Sequence, residues 1–148
     1  MLSVAVQHTW EAGHRLPHIE GKCQSLHGHS WHVEVEVTTD EPTHEAVLIE
    51  FATIKRVLRA WIDSRLDHGL MLGRDDALVN VLAPHGKVFV MGYDEHSGGL
   101  DWPTVENVAT LIQRLIAFEF PDATVLRVTV RETPTNAASW RKDAPCRA

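Results

Sequence analysis

Three histidines and one cysteine carry most of the chemical information in this chain: His14, and the stretch Cys23-Gln24-Ser25-Leu26-His27-Gly28-His29. His27, His29, Trp31, Val33, Val35 and Val37 share one parity, and His32, Glu34 and Glu36 take the other. Alternate strand residues point to the same face, so His27 and His29 are expected to project together from the apolar side. Gly28 between them is small enough to allow close approach. His14, arriving from a preceding segment, completes a three-nitrogen set for one divalent ion. Three protein ligands leave zinc a fourth position for substrate or water, as catalytic sites require. The chain has ten histidines, so a His-x-His pair alone is weak evidence, and it is the third ring and the adjacent thiol that add weight. A closed Cys-His-His-His site with Cys23 as fourth ligand is the competing arrangement. It lacks the Cys-x-x-Cys and His-x(3 to 5)-His spacings of closed zinc modules.

The elements that must position these groups read as strand, strand, helix, helix, strand. Leu2, Val4 and Val6 alternate with polar or small residues, which predicts a first strand to about Trp10. Glu11 to Lys22, with Gly13, Pro17 and Gly21, reads as a loop carrying His14. Ser30 to Thr39 is the second strand, ended by Asp40-Glu41-Pro42. In the first helix, Phe51 to Leu66, the residues Phe51, Ile54, Val57, Leu58, Trp61, Ile62 and Leu66 recur at helical spacing and form one buried stripe. The second helix opens at Asp101-Trp102-Pro103-Thr104, with proline near the first turn and Glu106 favourably placed against the helix dipole. In the strand Thr124 to Glu132, Val128, Val130 and Glu132 share a face. The inward Glu132 fits either a salt-bridged structural carboxylate or an acceptor for a ligand with paired N–H donors. Between the helices, Lys87 to Tyr93 reads as a short strand and His96-Ser97-Gly98-Gly99 as a flexible loop.

Two further groups have chemical potential. Asp67-His68, at the end of the first helix, fits a helix-closing histidine set against the C-terminal dipole, or a proton relay with its tautomer fixed by the carboxylate. The Cys23 thiol, near a metal or histidine, has its thiolate favoured and can act as base or nucleophile.

At 148 residues the chain is the size of one domain, 1–148, and long enough to bury a core without staples. Its two cysteines, Cys23 and Cys146, make no disulfide framework and suit a reducing compartment. There is no basic leader before an apolar run and no stretch near the roughly 20 apolar residues of a membrane span, so a cytoplasmic protein with no membrane partner is expected. The net charge of -6 argues against general nucleic-acid binding, which needs basic surface. One small anionic ligand remains compatible with it.

Taken in order, Trp10-Glu11-Ala12-Gly13-His14-Arg15-Leu16, Cys23 through His29, Leu66-Asp67-His68, Pro103-Thr104-Val105-Glu106-Asn107 and Arg131-Glu132-Thr133 resemble the signatures of the 6-pyruvoyltetrahydropterin synthase and 6-carboxytetrahydropterin synthase family. The resemblance spans nearly the whole chain, and the Cys-x3-His-Gly-His segment is its most specific part. It implies an α+β tunnelling fold (T-fold): an antiparallel four-stranded sheet with two helices on one face, in the order β-β-α-α-β-β, with a short last strand near Ser139 to Arg141. It further implies a homohexamer with active sites between subunits. By the same likeness His14, His27 and His29 are the zinc ligands, and Cys23 is a catalytic thiol working with Asp67 and His68. Glu132 would anchor the pterin, with Thr104 and Glu106 lining or supporting its pocket. The substrate implied is 7,8-dihydroneopterin triphosphate. The three-residue gap before His-Gly-His resembles the bacterial carboxy-forming enzymes, which release acetaldehyde and triphosphate on the route to queuosine, whereas pyruvoyl-forming enzymes typically have a longer gap. Arg15, Lys22 and Lys55 are candidate triphosphate contacts, with a plain surface cation the more common role for each. Gly13 stands where the family usually has alanine, and the segment from His68 to Pro103 is longer than in compact bacterial members. A zinc hydrolase or cupin-like enzyme, and a non-catalytic pterin-fold protein that keeps the metal, are the other classes to separate.

Overall fold

The computed structural model describes residues 1–142, and Cys146 lies outside the described residues. Strands β1 (Val4–His14) and β2 (His27–Thr38) pair antiparallel from Val4 opposite Val37, through Trp10 opposite Trp31, to His14 opposite His27. Strand β5 (Thr124–Arg131) pairs antiparallel with β2, and β6 (Ala137–Arg141) antiparallel with β5. These four strands are the antiparallel sheet expected from the sequence. Two short strands, β3 (Gly69–Leu72) and β4 (Val88–Val90), extend it in parallel beyond β1, giving the order β4-β3-β1-β2-β5-β6. The sheet is therefore six-stranded and mixed rather than four-stranded and antiparallel. Strand β4 falls within the short strand read from Lys87 to Tyr93, whereas β3, at four residues, is too short for alternation to register as a period.

Helix α1 (Phe51–Arg65) packs over β1, and α3 (Val105–Glu119) over β5 and β6. A one-turn helix, α2 (Val79–Leu82), lies in the segment between β3 and β4. The core is the layer between helices and sheet: Ile54, Leu58 and Ile62 of α1 and Leu111, Ile112 and Ile116 of α3 meet Trp31, Val33, Val35 and Val128, all essentially inaccessible to water. Each such aliphatic side chain contributes roughly 1.5–3 kcal/mol by leaving water. Phe51, expected in that stripe, is half exposed, because the buried face of α1 is set by Ile54, Leu58, Ile62 and the capping Leu66. The opposite sheet face is polar: Arg127 reaches Glu34 and Glu36 at 3.1 and 3.2 Å, and Gln7 donates to Glu34 at 2.7 Å.

Two loop expectations change. Strand β1 does not stop at Trp10 but runs on to His14, because Glu11, Ala12 and Gly13 pair with Ser30, His29 and Gly28 although their side chains give no alternating signal. The His96-Ser97 turn is held rather than loose: both residues are buried, and the Ser97 hydroxyl accepts the Gly92 and Asp94 N–H groups at 2.9 and 3.0 Å.

Candidate metal centre and adjoining clefts

The cross-strand pairing of His14 with His27, one residue from the end of the ladder's Gly13–Gly28 pair, brings three imidazoles together. Ring centroids lie 4.7 Å apart for His14 and His27, 5.2 Å for His14 and His29, and 4.9 Å for His27 and His29. One ring nitrogen of each can be chosen so that all three fall within 4.8 Å of one another. Gly28 is not what permits this approach, since a Cβ there would meet nothing closer than the Ala12 carbonyl at 3.5 Å. Its missing side chain instead leaves open the two clefts described below.

The carbonyls around the trio decide which nitrogen is free. His14 Nδ1–H donates to the Pro103 carbonyl at 2.9 Å, and His27 Nδ1–H donates to the Ser25 carbonyl at 2.7 Å. With the proton held on Nδ1, the Nε2 lone pair points elsewhere, which is the usual preparation of a metal-ligating histidine. His14 Nε2 and His29 Nε2 are buried with no hydrogen-bond partner. An orphaned buried polar atom costs about 1–3 kcal/mol, and an ion shared by these nitrogens removes that cost. Trp31 floors the trio, its ring 5.0 Å from His14 and 5.7 Å from His29, fixed by Nε1–H donation to the Ala12 carbonyl at 3.0 Å and by stacking on Trp10. Burial in this dry setting pushes the His14 pKa down to about 4 from 6.5, against the raising effect of the Pro103 carbonyl and with a further lowering from His27 and His29. His29 is also lowered, by burial first, partly offset by Glu132 and deepened by His27. Neutral imidazoles are the ligand form. The donor set fits a divalent ion that accepts nitrogen.

Cys23 lies outside this set. It sits in the single turn Lys22–Gln24, half-buried, with its carbonyl accepting the Leu16 N–H at 2.7 Å, so the turn is folded back onto the end of β1. Among the described residues the histidine trio is the convergent group of potential ligands, and no thiolate closes its remaining position.

Glu132, just past β5, places Oε1 3.3 Å from His29 Nε2 and lines a cleft of about 420 Å³ with His29, His32, Arg131 and Thr133. A second cleft, about 370 Å³, lies between Glu11, Gly28, His29, Ser30 and His68. His68 is thus brought to the same opening as a trio member, on the other side of the sheet edge. Its Nδ1 bonds Asp67 Oδ2 at 2.8 Å, while Asp67 Oδ1 accepts the Glu11 N–H at 2.9 Å. That backbone bond, partly offset by burial and aided by His68 and Lys87, holds the Asp67 carboxyl below the usual range. His68 has a positive φ of 54°, uncommon for a residue with a Cβ, and is tied there by its N–H to the Glu11 carbonyl at 2.7 Å. Strain of this kind concentrates where a side chain must be aimed.

Thr104 and Glu106 are not brought into either cleft. Thr104 caps α3, its hydroxyl accepting the Asn107 N–H at 3.2 Å, and Glu106 is exposed in the first turn. The residue of that motif that touches the trio is Pro103, through its carbonyl. Nothing in a proline's side chain announces a carbonyl acceptor, nor did the pattern point to Ser25, whereas the parity of β2 had already set Trp31 on the face of His27 and His29. Arg15 is not left free for an anion: it is engaged by both oxygens of Asp76. Lys55 lies in a shallow hollow of α1 with Arg56 and Arg59, away from the trio.

A helix-backed sheet whose strand ends converge three imidazoles beside a carboxylate defines an α+β protein with a residue group that could hold a metal ion, flanked by two clefts. Residues 3–143 match the 6-pyruvoyl tetrahydropterin synthase family, and the chain belongs to that family. It is 32% identical over 107 residues to the 6-carboxy-5,6,7,8-tetrahydropterin synthase of Rickettsia felis, covering 72% of this chain and 74% of that protein. It is 31% identical over 128 residues to a probable 6-carboxy-5,6,7,8-tetrahydropterin synthase of Halobacterium salinarum, covering 86% and 78%. Among solved structures, 6-pyruvoyl tetrahydropterin synthase of Caenorhabditis elegans superposes with a TM-score of 0.65 at 20% identity, covering 96% of each chain. The protein WS1659 of Wolinella succinogenes gives 0.75 at 23% identity, covering 96% of this chain and 98% of that one. These two likenesses establish the shared fold.

Proposed function

We propose that this chain is a zinc-dependent 6-carboxy-5,6,7,8-tetrahydropterin synthase, a carbon-carbon lyase that converts 7,8-dihydroneopterin triphosphate to 6-carboxytetrahydropterin with release of acetaldehyde and triphosphate. The observation that carries the reading is the histidine trio, with two Nδ1 protons parked on carbonyls and two buried Nε2 atoms unpartnered. The choice of branch is supported by the Cys-x3-His-Gly-His spacing and by relatives such as that of Rickettsia felis, named for the carboxy product.

His14, His27 and His29 would hold the ion. Zinc bound there supplies Lewis acidity, lowering the pKa of the substrate's side-chain hydroxyls. Glu132 is an acceptor-only group with two oxygens, matched to the paired N–H donors of a pterin ring, and its place beside His29 sets the ring next to the ion. His68, its tautomer fixed by Asp67, takes and returns a proton at the open end of the second cleft. Cys23 is the thiol partner in that exchange. Cys23 lines neither cleft in its own chain, so in a homohexamer it would meet a neighbouring subunit's His68. Thr104 supports the pocket indirectly, by capping the helix that follows Pro103, with Glu106 in the same first turn. A cytoplasmic setting keeps the thiol reduced, and the product would feed queuosine or another deazapurine.

The test is incubation of the zinc-loaded protein with 7,8-dihydroneopterin triphosphate, followed by mass analysis, with Cys23→Ala alongside. The expected products are 6-carboxytetrahydropterin and acetaldehyde, with Cys23→Ala retaining zinc but losing turnover by about 10²-fold or more. Formation of 6-pyruvoyltetrahydropterin instead would move the chain to the pyruvoyl branch. Undiminished turnover in Cys23→Ala would make the thiol incidental, as in a zinc hydrolase.

A further inference from the structure

The segment from Gly69 to Trp102, unused in the chemistry so far, reaches the metal centre from two sides. Arg15 follows His14 at the end of β1 and donates Nε–H and Nη2–H to the two oxygens of Asp76, at 2.8 and 2.5 Å. The Asp76 side chain is fully buried, and its Oδ1 also accepts the Leu78 N–H at 2.8 Å. Just beyond the other end of the segment, the Pro103 carbonyl accepts a hydrogen bond from the His14 Nδ1–H. The two ends are also packed together: a Cβ on Gly73 would fall 2.2 Å from the Trp102 ring. Trp102 stacks on His18 at 4.3 Å, so the chain after His14 is gripped twice.

We propose that Arg15 and Asp76 are positioning residues for the metal centre, the Gly69 to Trp102 segment being a brace that sets how tightly His14 binds the ion. A two-point guanidinium–carboxylate contact resists rotation as a single bond does not. It stands one residue from His14, whose Nδ1–H is bonded by Pro103, the residue that directly follows the segment. Loss of the groups that orient metal-ligating histidines typically costs 10–100-fold in metal affinity. The inference rests on the metal reading above and adds to it the means by which this chain's long connection serves the site.

The experiment compares Arg15→Met, Asp76→Asn, their double variant and Arg15→Lys with the unaltered protein. It measures the zinc Kd by chelator competition, the Tm of the metal-free proteins, and kcat and KM. Each single variant is expected to lose about tenfold in zinc affinity. The double variant should lose no more than the singles, since both remove one contact. Arg15→Lys, which keeps the charge without the fork, should recover part of the affinity, and KM should move less than about twofold. Unchanged zinc affinity with a lowered metal-free Tm would overturn the proposal, leaving the pair a fold contact only. A raised KM with intact zinc affinity would overturn it too, by assigning Arg15 to the triphosphate. If the unaltered protein takes up no zinc, the metal reading and the brace fall together. If it does and the variants match it, the brace alone falls.

Discussion

His14 shows how one side chain's proton inventory follows from where it sits. Its ring is sealed from water, packed on Trp31, and bonded through Nδ1 to Pro103, so the charged form is disfavoured and its pKa falls from 6.5 to about 4. In the metal-free protein this carries a stability consequence with a definite sign. Between pH 4 and 6.5 the unfolded chain binds a proton at His14 that the folded chain does not, so stability falls as pH drops through that window. The full deficit, below pH 4, is about 3 kcal/mol. Lowered His29 pushes the same way, and depressed Asp67 adds stability that is lost as pH falls through its folded pKa. Urea unfolding of the chelated protein is therefore expected to show a lower midpoint at pH 4.5 than at 7, and a flat profile would contradict the burial argument. The side-chain parity of β2 made His27 and His29 readable in advance, because period 2 needs only local sequence. The carbonyls that fix the tautomers were not readable, since every residue has one and only tertiary position distinguishes Pro103 and Ser25.

The elements divide by length in how far they could be read. Helices α1 and α3 carry three or more apolar turns each, so their stripes emerge from the sequence, with only Phe51 misassigned to the buried side. β3, at four residues, has no period to reveal, and its place in the sheet comes from pairing with the end of β1, Ala12 opposite Gly69 and His14 opposite Met71. That pairing explains why β3 was missed, while β4, inside the Lys87 to Tyr93 strand, and the four antiparallel strands were not. The same segment offers a contrast between two glycines. At Gly73 a Cβ would lie 2.2 and 2.5 Å from Trp102 ring atoms and 2.9 Å from the Asp101 carbonyl, all in the packed interior of the brace. Gly86 has an extended backbone and nothing within 4 Å of such an atom. Gly73→Ala is expected to lower stability by about 1–3 kcal/mol through overpacking, whereas Gly86→Ala should fall within about 0.5 kcal/mol of the parent. Equal urea midpoints for the two variants would contradict the packing described for Gly73 and Trp102.

At the scale of the whole molecule, the ordered motifs marked the family, because their residue types answer to one reaction and their order to one fold. What a single sequence withholds is the arrangement of contacts that cross elements: Arg15 with Asp76, Asp67 with the Glu11 backbone, Glu132 with His29. Each joins residues far apart in the chain, and each decides whether a candidate side chain is free for chemistry or committed to structure. Arg15 passed from possible anion contact to paired cation on that ground. Among the described residues no helix is long and apolar enough to cross a membrane. The division of labour that emerges is a rigid sheet end holding imidazoles, an outer turn carrying Asp67 and His68, and a thiol on a separate turn. The proposed chemistry depends on one ion shared by three nitrogens. The most direct measurement is metal content after purification and zinc reloading, for the parent protein and for His14→Ala, His27→Ala and His29→Ala. The account expects close to one zinc per chain in the parent and its loss in all three variants. A parent that takes up no zinc, or a His14 variant that binds it as well as the parent, would contradict it.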